Sequence, residues 1–135
     1  MPAINYWAVV VAAVAAFVMS AVWYSPLLFG NAYVRLRGLD PSAMGDMKMP
    51  VGTIVAEFVR ALIVAFVLAR FVVLVGADDW MDAVLLGVWA WIGFPAMILL
   101  GSVIHENVPW KLAAIHVGDW LVKLLLIAII LSIWR

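Results

Sequence analysis

The sequence predicts an all-α, polytopic integral membrane protein, four transmembrane helices in a compact bundle, and two observations carry that prediction. Of its 135 residues 69% are apolar and only 12% are charged, too few polar groups to coat a water-soluble domain of this size. The apolar residues also gather into runs near Ile4–Tyr24, Gly52–Val75, Met81–Ile104 and Leu112–Trp134, each close to the roughly 20 residues that cross a hydrocarbon core. A single transmembrane domain over residues 1–135 is expected, with a long connection at 25–51. The absence of Cys excludes disulfides and thiol chemistry, and the formal charge of zero excludes the basic excess that nucleic acid requires.

No Lys or Arg precedes the first run and no A-x-A-like site closes it, so it is expected to stay as a helix and not be cleaved as a signal. Ala8, Ala12, Ala16 and Ser20 recur every fourth residue, a small face that lets helices approach closely. The run exits through Ser20, Trp23 and Tyr24. The connection "NAYVRLRGLDPSAMGDMKMP" is basic and partly apolar in its first half, which suits a lipid surface, and methionine-rich in its second. Met44, Met47 and Met49 resemble a soft Cu(I) site, although methionines without His or Cys more often fill gaps or touch lipid.

The second run carries Glu57 and Arg60 three residues apart, and the fourth carries His116, Asp119 and Lys123 within about 60° of one helix face. Glu57 with Arg60 and His116 with Asp119 start from the same side of the membrane, and both pairs reach roughly 7 to 12 Å inward at 1.5 Å per residue. Glu57 or Asp119 is therefore expected to pair with Lys123 or Arg60. A central charge costs roughly 2.5 to 3.5 kcal/mol against about 0.3 to 0.6 gained per aliphatic residue, which favours pairing. Two alternatives stand beside a structural cluster: a transport or proton pathway, and an outward shift that leaves His116 and Asp119 among headgroups while Lys123 snorkels.

The third run holds Gly93, Met97 and Gly101 at small-face spacing, and Pro95 is expected to kink it by freeing the carbonyl of Trp91. It ends in His105 and Glu106, which join Ser20 and Tyr24 as possible contributors at the same end of the bundle. A Ser20 or Ser25 nucleophile activated by His, or a metal held by His105, His116 and a carboxylate, has no supporting spacing motif. No cofactor or metal is therefore expected. Trp23, Tyr24, Trp80, Trp110 and Trp134 fit boundary anchors. Arg35, Arg37, Lys48 and Lys111 lie on one side against Arg70 and Arg135 on the other, which predicts both termini outside.

The stretches "INYWAVVVAAVAAFVMSAVWYSPLLFGNAY" and "WKLAAIHVGDWLVKLLLIAIILSIW" together resemble the small bacterial four-helix membrane proteins of domain-of-unknown-function family 1761. Ile4, Asn5, Trp23, Tyr24, Pro26, Phe29 and Gly30 carry the resemblance most specifically, with a looser match at Lys111, Ile115, Gly118 and Leu121. It implies a bacterial inner-membrane protein and brings no established activity. The expected function is a non-enzymatic, self-associating membrane subunit whose partners are the lipid bilayer and copies of itself. Its polar cluster would be Glu57, Arg60, His116, Asp119 and Lys123. A small transporter or proton-coupled channel using that cluster is the alternative, and a membrane enzyme using His105 or His116 is the third reading.

Overall fold

The structure, a computed structural model, describes residues 4–39 and 50–134. Six helices follow in order: α1 Tyr6–Trp23, α2 Gly30–Leu36, α3 Val51–Val75, α4 Trp80–Gly93, α5 Pro95–Glu106 and α6 Trp110–Ile133, with no strand among the described residues. Four stretches are long and apolar enough to cross a membrane, α1, α3, α6 and the combined Trp80–Glu106 span formed by α4 and α5. Met44, Met47, Met49, Lys48 and Arg135 fall outside the described residues.

Asn5 starts α1 by accepting from the backbone N–H groups of Trp7 and Ala8, which satisfies two of the donors that a helix start leaves open. Ala8, Ala12 and Ala16 are fully buried, and α1 packs against both α3 and α6. On α3, Ala61, Ala65 and Ala69 are buried in the same core. Small residues bring α1 and α3 together in lipid, where close van der Waals contact replaces the hydrophobic drive available in water. Gly76, left-handed at φ 67°, ends α3. Asp79 then opens α4 by accepting from the N–H of Asp82.

The long connection is not all loop. Its first part turns tightly, with Phe29 N–H donating to the Trp23 carbonyl and Gly30 N–H to that of Ser25. A Cβ on Gly30 would collide with the backbone of Tyr24 and Ser25, so the turn needs glycine there. It feeds the short α2, which lies against α6 and buries Val34.

Pro95 interrupts the third span outright: Phe94 sits at φ −115°, ψ −85°, and α5 starts afresh at the proline. Proline supplies no N–H and disfavours helical backbone at the residue before it. Above the break, Ala83 and Gly87 of α4 are buried, the latter beside Leu125 and Ala128 of α6. Below it, α5 has no buried residue. Gly93 and Gly101 face open space, so among the described residues no helix packs on them, while the half-exposed Met97 between them lines a groove beside α6. Asn107, left-handed at φ 56°, closes α5.

Helix α6 is the centre of the bundle, in contact with α1, α2, α3, α4 and α5. Its Leu124, Ile127, Ala128 and Leu131 complete the apolar core, while large side chains such as Trp7, Ile63, Trp89 and Ile98 point outward, as lipid-facing surfaces require.

Candidate functional site

The last turns of α1 present Ser20, Trp23 and Tyr24 on one face, since positions three and four apart are neighbours on a helix. They meet α6 where it carries Ile115, His116 and Asp119, and each makes one hydrogen bond across the seam. Ser20 Oγ donates to Asp119 Oδ1 at 2.7 Å. Trp23 Nε1 donates to the Ile115 carbonyl at 3.0 Å. Tyr24 Oη and His116 Nδ1 share a hydrogen bond of 2.6 Å.

Asp119 is 3% exposed. Its second oxygen, Oδ2, lies 3.4 Å from Lys123 Nζ, whose side chain is 13% exposed. The Lys123 ammonium also sits 4.3 Å from the centre of the Trp120 ring, where the aromatic face attracts a cation. Both carboxylate oxygens thus have partners, one from α1 and one from α6. Removing either partner would leave a buried group unpaired, at a cost of several kcal/mol.

Trp23 can lie on α6 only because Gly118 has no side chain: a Cβ there would stand 2.7 Å from the indole Cζ2. Phe29 packs on the other side of the indole, with ring centres 4.6 Å apart. A second indole reaches α6 from the opposite neighbour, Trp91 Nε1 donating to the Val117 carbonyl at 2.8 Å.

Outward from Asp119 the polar groups continue toward the membrane boundary. Tyr33 of α2 presents its ring to Tyr24 and to His116, at 5.1 and 5.6 Å between centres. Arg37 donates to the Tyr33 hydroxyl at 3.3 Å. Burial, followed by the nearby Asp119 carboxylate, raises the Tyr24 phenol above its ordinary range and keeps it protonated.

Ser20, Tyr24, His116, Asp119 and Lys123 therefore come together at the α1–α6 seam. Glu57 and Arg60 do not join them. They pair with each other at 2.6 Å on α3, with side chains 43% and 60% exposed, because the i,i+3 spacing lets them meet without leaving their own helix. His105 and Glu106 are exposed at the end of α5. The Ser20 hydroxyl is directed at a carboxylate and Ser25 Oγ at the Val22 carbonyl, so neither bonds a His in this geometry. Among the described residues, no group of three His, Asp or Glu side chains is placed to hold a metal ion. Sequence reasoning missed Tyr33 and Arg37 beside the seam and Trp91 on the α4 side of α6. The i,i+4 spacing of Tyr33 and Arg37 was the available signal for the first two.

Four apolar spans around a polar seam define an all-helical membrane protein. The family model described as "Protein of unknown function (DUF1761)" matches residues 7–132, and the chain belongs to that family. No curated protein and no solved structure matches the chain.

Proposed function

We propose that the protein is a non-enzymatic, self-associating subunit of a bacterial inner membrane, in which the Ser20–Asp119–Lys123 group fixes the pairing of α1 with α6. The burial of Asp119 carries this reading, because a proton carrier or general base needs a face open to its substrate, whereas Asp119 is enclosed between Ser20 on one oxygen and Lys123 on the other. Self-association draws support from Gly93 and Gly101, whose open surroundings would let a helix of another copy approach closely. Arg35, Arg37 and Lys111 on one side against Arg70 on the other favour termini outside the cytoplasm.

A proton-coupled transporter is the second reading, favoured by the short Tyr24–His116 bond and its continuation through Tyr33 to Arg37. Thermal stability of purified protein, measured beside proton flux in proteoliposomes, separates the two. For a structural lock, Asp119→Asn with Lys123→Met should recover much of the stability lost by the single variants, and the parent should carry no flux. A parent flux that the folded double variant loses would replace the lock with a pathway. A monomer mass in several mild detergents would remove self-association.

A further inference from the structure

Glu57 and Arg60 place an ion pair on the outer surface of a span, and two ring contacts between α1 and α3 fix its depth. Phe58 meets Phe17 edge-on at 6.0 Å between centres, and Phe66 stacks on Tyr6 at 6.3 Å. Arg60 lies between these levels. At 1.5 Å per residue it stands about 9 Å short of Phe66 at the start of α1, while Phe17 is itself about 9 Å from the other end of α1 at Trp23. The pair therefore sits near the middle of the span. Its contact uses one guanidinium nitrogen, Nη1, and one carboxylate oxygen, Oε1. The remaining N–H donors of the guanidinium and the second carboxylate oxygen find no partner in hydrocarbon, so exposed side chains at this depth call for a polar cover. Gly93 and Gly101 on α5 also face open space, but a glycine left against lipid strands no polar side chain.

We propose that the cover is α3 of a second copy, running parallel across a two-fold axis along the membrane normal, an inference that rests on the self-association proposed above. The pattern of charge selects this occupant. Three residues turn a helix by about 300°, so Glu57 and Arg60 stand about 60° apart around α3, one on each side of the line between them. A two-fold rotation exchanges the sides. Glu57 of each copy then faces Arg60 of the other, with an offset in depth of about 4.5 Å that an arginine side chain spans. A partner surface of one sign would attract one member of the pair and repel the other. Within its own chain the pair lies away from the α1–α6 seam, so changing these charges leaves that seam in place.

The chain has no Cys of its own, which makes cross-linking in membranes of expressing cells a direct test. Thr53 and Val67 are exposed on the same side of α3, before Glu57 and beyond Arg60. Under oxidation, Thr53→Cys or Val67→Cys should give at least five times the covalent dimer formed by Gly101→Cys on α5. Adding Glu57→Lys or Arg60→Glu gives each copy two like charges, and either change alone should lower the dimer at least five-fold. Co-expressing the two charge variants, with tags of different size, should restore a mixed dimer to near the parental yield, which also shows that both are folded. Absence of dimer from both α3 cysteines, a dimer indifferent to the single charge changes, or no recovery in the mixture would each overturn the inference. A Gly101→Cys dimer in their place would overturn it while leaving self-association standing on α5. A monomer mass in mild detergents, with no dimer from any of the three cysteines, would remove self-association along with it.

Discussion

Helix α6 meets α1 along one seam and α5 along another, and the two are built on opposite principles. Against α1, three hydrogen bonds cross within a single turn and a half, and Gly118 brings an indole onto the helix backbone. Against α5, the contact is apolar and leaves a groove. One residue on each neighbour marks the difference: Ser20 gives α1 a donor for the buried acid, whereas Pro95 removes a donor and restarts the helix as α5. Specific pairing in lipid thus comes from small or polar residues.

The largest way to break the contrast is Asp119→Ala, which leaves the Lys123 ammonium buried beside no carboxylate. A loss of about 3–5 kcal/mol is expected, read as a lower unfolding midpoint in denaturant titration of the detergent-solubilised protein. Ala12→Leu should follow, at about 1–3 kcal/mol, because Ala12 has no exposed surface to accommodate three extra carbons. Val10→Leu, at a 40% exposed position, should leave the midpoint unchanged. Gly118→Ala falls in the same range as Ala12→Leu and adds a spectroscopic reading. The displaced Trp23 indole should shift its fluorescence, and a parental spectrum would show that Trp23 does not lie on α6. Ser20→Ala removes one interhelical hydrogen bond, worth about 0.6 kcal/mol on average in membranes. The smallest effect belongs to Glu57→Gln, off both seams, because its pair lies on the outer surface of α3 and holds no other helix of the chain. If Glu57→Gln matched Asp119→Ala, burial would not be what separates the two ion pairs.

Hydropathy made the four spans legible because a run of apolar residues long enough to cross lipid leaves few other solutions. The Asp119–Lys123 pair was legible from its i,i+4 spacing. Its counterpart on α3 shows the limit of that reasoning: Glu57 and Arg60 stand at a matching depth, yet their own i,i+3 contact pairs them without any other helix of the chain. The indole bonds were hidden for a different reason. Their acceptors are backbone carbonyls of Ile115 and Val117, and every residue carries a carbonyl, so nothing in the sequence marks which ones are used. Gly93 and Gly101 have the spacing of a packing face without a neighbour among the described residues. Spacing defines a face, and only the assembled bundle supplies its partner.

The two indole bonds also set what can move. Ile115 and Val117 are two residues apart, about 200° around α6, so Trp23 and Trp91 grip the helix from nearly opposite directions. A turn of α6 about its axis by one residue, about 100°, would break both grips together. The helix therefore has a fixed rotational phase. Any motion that preserves it carries α1, α4 and α6 together, because the two indoles tie both neighbours to the same phase of α6.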